Sequence, residues 1–129
     1  MRSLSSVSAI SGKPLWYGTV KQESLYTVVW QCARGAAICE KIEEAGYGDM
    51  IRSHTGLQLS PYFSAAKIAW VLQNVEGAQE RADEGKLCCG TIDSWLVYKL
   101  TGGKVFKTDY SNASRTQMFN ISALSWDEE

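Results

Sequence analysis

Three residues in one short stretch have types and spacing that could do chemistry. In SPYFSAAKIAWVLQN, Ser60 to Asn74, Tyr62, Lys67 and Trp70 fall within nine positions. A phenol, an ammonium and an indole face together could hold a small polar ligand, which needs an apolar wall and a few directed hydrogen bonds. The same stretch also reads as an ordinary amphipathic helix, because Ile68, Val71, Leu72 and Val75 recur at helical spacing and make one apolar stripe. Trp70 is off that stripe, about 200° round from Ile68, and forms a second apolar face with Ala66. Such a helix wants two partners, or a partner and a ligand.

Elsewhere, generic chemical motifs are missing. Gly85-Lys86 is followed by Leu87, so no phosphate loop with its Lys-Ser/Thr pair is present. Gly46-Tyr47-Gly48 lacks the third glycine of a dinucleotide loop. His54, the single histidine, sits in a polar Arg-Ser-His-Thr stretch and reads as a solvated loop residue. Cys32, Cys39, Cys88 and Cys89 have neither C-x-x-C nor zinc spacing, and read as reduced, partly buried thiols. No metal site is expected.

The elements that must position these residues follow from periodicity. Two runs of aromatic and β-branched residues, from Leu15 to Val20 and from Leu25 to Val29, flank the polar break Lys21 to Ser24 and predict a hairpin or two strands. Ile38, Ile42 and Ala45 predict a helix from about Arg34, stopped by Gly46. A short helical turn is expected over Asp49 to Ser53. The helix of the opening stretch should begin between Pro61 and Ala65. Glu76 to Glu84 is helix-compatible and ends at Gly85. Leu87 to Ile92 and Val105 to Thr108 read as strands. Asp93 reads as the N-cap of a helix carrying Trp95, Leu96 and Leu100. Ser125 and Glu128 have the spacing of a capping box, which predicts the start of a helix and suggests a longer parent chain.

Strands mixed with helices indicate an α/β or α+β class. The 129 residues suffice for one domain, and 45% hydrophobic with 21% charged residues is a globular composition. A net charge of −1 gives no footprint for nucleic acid. No apolar run approaches the roughly 20 residues of a membrane span. Cytoplasmic residence is the expectation.

One resemblance adds to this reading. Tyr62 to Asn74 fits, position by position, a signature of the FGGY family of carbohydrate kinases. Around it GKPL (12–15), VVWQC (28–32), ICE (38–40), IRSHTGL (51–57), GTIDSWLVYKLTGGKV (90–105) and TDYSNASRTQMFNI (108–121) resemble the glycerol kinases of that family. The resemblance runs from about residue 12 to 129, with residues 1–11 as an atypical leader. It implies an α/β fold, an incomplete part of a ribonuclease-H/actin-like ATPase domain. It also implies transfer of the γ-phosphoryl group of ATP, with Mg²⁺, to glycerol. By motif, Trp30 and Tyr62 are the substrate contacts: Trp30 supplies an apolar wall, and Tyr62 a ring edge and a hydroxyl. Lys67 and Trp70 are signature positions read as scaffold. Asp109, Asn112, Ser114 and Arg115 either order a turn or touch the cleft.

The sequence also departs from the family. Its phosphate loop and an Arg-Glu substrate pair should precede GKPL, where SSVSAIS stands. Extra residues around Tyr17 to Tyr26 enlarge the connection to VVWQC. Cys89 replaces the family's Phe before Gly90-Thr91. The general base, an Asp, is expected beyond Glu129. A chain without these parts is expected to be catalytically silent alone and to need the remainder of the kinase chain. It is also expected to self-associate through exposed edges. The alternatives are a non-catalytic relic acting as a binding module and a fragment of another polyol or sugar kinase of the family.

Overall fold

The polar break between the first two apolar runs turns the chain back on itself. In the computed structural model, which describes residues 20–21, 24–25, 28 and 31–128, β1 (Val20–Lys21) pairs antiparallel with β2 (Ser24–Leu25). Val20 lies opposite Leu25 and Lys21 opposite Ser24, an antiparallel pair that includes two residues of the predicted break, while most of the two predicted runs lies outside the described residues. Helix α1 (Ala36–Glu44) then ends as the sequence predicts, with Gly46 at φ 84° just beyond it. Helix α2 (Gly48–Thr55) is longer than the single turn expected. It closes on Gly56 at φ 71°, whose N–H donates to the Arg52 carbonyl.

Helix α3 (Ser64–Asn74) is the hub, packing against α1 and against α4 (Ala78–Asp83). Its most buried positions are Ser64, Ala66 and Lys67, whereas Ile68, Val71, Leu72 and Val75 are only half-buried. The deepest positions thus lie off the predicted stripe, which is secondary. Close approach explains this: a Cβ on Gly35, at the start of α1, would come within 2.8 Å of the Ala66 Cβ. Only small residues permit helices to approach so closely.

Helix α5 (Ile92–Leu100) and helix α6 (Tyr110–Ala113) come next along the chain. Asp93 is not the N-cap of α5: Thr91 holds that position, and Asp93 sits in the first turn with Oδ2 accepting from the Thr108 hydroxyl at 2.6 Å. A carboxylate there still faces the positive end of the helix dipole. Asp109 does cap α6, its side chain accepting from the Asn112 N–H at 2.9 Å. Of the expected polar cluster, Asp109 and Asn112 therefore order a turn.

The segments 87–91 and 105–108 carry no ladder pairing among the described residues, so neither is a strand there, and Ile92 already belongs to α5. The predicted helix start at Ser125 is also overturned. Strand β3 (Phe119–Asn120) pairs antiparallel with β4 (Ser125–Trp126), Phe119 opposite Trp126. Phe119 is 2% exposed and receives the Trp126 ring edge-on at 5.6 Å, with Tyr110 at 5.7 Å. Burying these aromatic faces outweighs a local capping preference of about 1 kcal/mol. Asp127 is used for tertiary contact instead. Its Oδ2 lies 2.8 Å from His54 Nδ1 and accepts from Asn120 Nδ2 at 3.1 Å. His54 is accordingly a half-buried helix residue tied to the second ribbon, not a solvated loop residue.

Candidate functional site

Tyr62 stands in the turn that leads into α3, where Pro61 and Ser60 oppose helix formation. Ser60 shapes the turn, with its hydroxyl accepting from the Tyr62 N–H at 3.2 Å and its carbonyl from the Phe63 N–H at 3.3 Å. The Tyr62 ring is 47% exposed and stacks edge-to-face on Phe63 at 5.0 Å. Arg115 covers the Phe63 ring, its guanidinium 4.9 Å from the centroid. Arg115 thus lies one ring away from Tyr62.

The turn is held from inside by Lys67, only 4% exposed. Its ammonium donates to the carbonyls of Pro61 (2.5 Å), Tyr62 and Phe63 (3.2 Å). Lys67 forms no ion pair with a carboxylate among the described residues. Three carbonyl dipoles stabilise its charge instead, and burial pushes its pKa down, with Cys32 and Cys39 acting the other way. A buried lysine reaching back four to six residues fixes three consecutive peptide groups around Tyr62. The sequence offered only a hint of this, one lysine on an otherwise apolar face.

Behind the turn, Cys32, Arg34, Lys67 and Trp70 line one small cleft with Val28 and Val71. The Arg34 guanidinium lies 4.8 Å from the Trp70 ring centroid and its Nε donates to Cys32 Sγ at 3.1 Å. Trp70 thus has a partner on its off-stripe face within this chain. Burial pushes the Cys32 thiol up, but hydrogen bonds and charge from Arg34, with charge from Lys67, overcome that and leave it below the ordinary thiol value. The motif ending in Cys32 and the signature helix therefore meet at this cleft. Trp30 itself lies outside the described residues.

Two larger hollows are present as well, and Tyr62 lines neither. One, of about 260 Å³, is mostly apolar and is bounded by Ile68, Cys89, Met118 and Trp126. The other, of about 380 Å³, is lined by Glu40, Glu43, Asp49, Arg52 and Gln58 among others. Among the described residues no group of three or more His, Cys, Asp or Glu converges. Nor is any helix among them long and apolar enough to cross a membrane.

The sequence model of the FGGY family of carbohydrate kinases, N-terminal domain, matches residues 18–129. The chain belongs to this family. It is 52% identical over 115 residues to a glycerol kinase of Pseudothermotoga lettingae, an alignment covering 89% of the chain and 23% of that relative. To a glycerol kinase of Vibrio cholerae it is 59% identical over 102 residues, 79% of the chain and 20% of the relative. The chain thus spans less than a quarter of the length of these curated relatives. Among solved structures it resembles Plasmodium falciparum glycerol kinase with ADP, with a TM-score of 0.76 at 34% identity over 88% of the chain and 22% of that protein. A xylulose kinase of Lactobacillus acidophilus has the same fold, with a TM-score of 0.63 at 23% identity over 86% of the chain and 22% of the neighbour. The fold is an incomplete part of the α/β, actin-like domain of these FGGY kinases.

Proposed function

We propose that this chain forms part of a glycerol kinase and contributes Tyr62 and Trp30 to the polyol site. The complete enzyme would move the γ-phosphoryl group of ATP, with Mg²⁺, onto a terminal hydroxyl of glycerol, giving glycerol 3-phosphate. The observation that carries this reading is the Tyr62 turn: an exposed phenol on peptide groups that Lys67 holds rigid, in a chain 52–59% identical to two glycerol kinases. A pre-set phenol binds a flexible triol with little ordering of the protein, and its hydroxyl can both donate and accept. Tyr62 would orient glycerol, while the apolar wall from Trp30 would cover the carbon backbone.

Phosphoryl transfer depends on positioning and charge stabilisation. The described residues hold no cluster of three or more His, Cys, Asp or Glu, and no step through ATP or Mg²⁺ is assigned to them. The 129 residues alone are expected to turn over no ATP, and partnership with the remainder of a kinase chain in the cytoplasm is part of the same proposal. Glycerol titration of the chain, followed by the backbone amide NMR signals on either side of position 62, tests the site. A saturable shift is expected, weakened about tenfold in Tyr62→Phe, the equivalent of one hydrogen bond. A response to a pentulose and none to glycerol would overturn the assignment.

A further inference from the structure

Besides Lys67, the turn that carries Tyr62 has a second set of ties. The segment from Gln58 to Phe63 lies between α2 and α3 and belongs to no helix or ladder. Its two flanks are tied to consecutive residues far along the chain. The Gln58 carbonyl accepts from Gln117 Nε2 at 2.7 Å, across 59 positions of sequence. The Ala65 N–H donates to the Thr116 carbonyl at 2.9 Å. These bonds bracket Tyr62, four residues after the first tie and three before the second.

Thr116 and Gln117 are themselves set firmly. The Thr116 hydroxyl donates to the Ala113 carbonyl at 2.7 Å and accepts from the Met118 N–H at 3.1 Å, closing a tight turn between α6 and β3. Phe119, almost wholly buried, anchors the start of β3.

Gln117 carries two features that packing alone would avoid. Its backbone is left-handed, at φ 61°, where a residue with a side chain is disfavoured. Its side chain is 8% exposed, and Oε1 is buried without a hydrogen-bond partner. Glycine would relieve the backbone, and methionine would fill the space without an orphaned acceptor. Strain and an unsatisfied polar atom at one residue persist where geometry is over-determined, and they concentrate at functional sites.

We propose that Gln117 is a positioning residue that fixes the Tyr62 segment for polyol binding. Its importance for glycerol rests on the reading of Tyr62 given above. Gln117 acts from behind, through the Gln58 peptide, and shares the task with Lys67.

The test is site-resolved hydrogen exchange on the 129-residue chain, comparing the natural sequence with Gln117→Met and Gln117→Gly. In both variants amide exchange over residues 58–63 should rise about tenfold, the equivalent of one lost hydrogen bond, while α1 and α4 keep their protection. Gln117→Gly, freed of the left-handed strain, keeps the variant pair informative if Gln117→Met does not fold. Glycerol should bind about tenfold more weakly to either folded variant. Unchanged exchange over 58–63 in a folded variant would overturn the proposal, and so would a uniform rise across the whole chain, the sign of a general packing role. Local loosening in a chain that never responds to glycerol would uphold the clamp and refute the polyol reading instead.

Discussion

Replacing Lys67 with methionine keeps the aliphatic stem and removes the ammonium. Three carbonyls, those of Pro61, Tyr62 and Phe63, lose their donor. A hydrogen bond to a charged group contributes about 1.5–3 kcal/mol net. The turn is partly open, with Tyr62 47% exposed, so water can reach the freed carbonyls and the lower figure applies, about 4–5 kcal/mol in all. Against this, the variant no longer desolvates an ammonium. Burial is the largest cause of the depressed Lys67 pKa, and its relief offsets part of that loss. The expected net loss is about 2–3 kcal/mol, a fall in melting temperature on the order of 10 °C for a domain of this size.

The pH dependence of the difference is fixed in sign. The native Lys67 pKa lies below its ordinary 10.5, so between the two values the unfolded chain binds a proton that the native chain does not. Stability of the natural chain relative to Lys67→Met should therefore rise with pH through that window and level off above it. Thermal melts of both proteins, followed by circular dichroism at neutral and alkaline pH, measure this directly. An equal or higher melting temperature for Lys67→Met at pH 7 would refute the stabilising role of the Lys67 hydrogen bonds. A gap that narrows on the way to pH 10.5 would refute the direction of the pKa shift.

Three further outcomes are expected from other parts of the fold. Gly35→Ala should destabilise the chain by about 1–3 kcal/mol in urea titration, because the added Cβ meets the Ala66 Cβ at 2.8 Å and its backbone at 3.0 Å; an unchanged midpoint would mean that α1 and α3 separate freely. Arg34→Ala should raise the midpoint of the pH profile for iodoacetamide labelling of Cys32, since it removes the hydrogen bond and the charge that hold the thiol below 9.0; an unmoved profile would rule out Arg34 as the cause. On α5, Ile92, Leu96 and Leu100 are 62%, 53% and 85% exposed at successive four-residue steps, an apolar strip that should drive self-association. Sedimentation velocity should show a concentration-dependent species that Leu96→Glu removes, and identical profiles would discount the strip.

Much of the helical framework was legible because it rests on local rules. Gly46 and Gly85 stop helices with the positive φ that other side chains resist, and Pro61 marks the turn before α3. Tyr62 was singled out only through the signature run around it. What failed depends on distant partners. Ser125 to Glu128 has the spacing of a helix start, yet Phe119 offers Trp126 an aromatic face and Asp127 reaches His54, and neither fact exists within a local window. Segments 87–91 and 105–108 satisfy strand composition, but composition does not supply a ladder partner. Gln117 had no signal at all, since a left-handed glutamine looks ordinary in sequence and is distinctive only in geometry.

The tie between His54 and Asp127 has a consequence for the order of events during synthesis. The two residues are 73 positions apart. At about 5–20 residues per second, His54 is made roughly 4–15 seconds before Asp127. For that interval the nascent chain exposes one side of α2 without the ribbon that packs on it, and the Tyr62 turn without its ties to Thr116 and Gln117. Elementary helix and hairpin steps finish in microseconds, so here the pace of translation, not the intrinsic speed of folding, sets when the turn is completed.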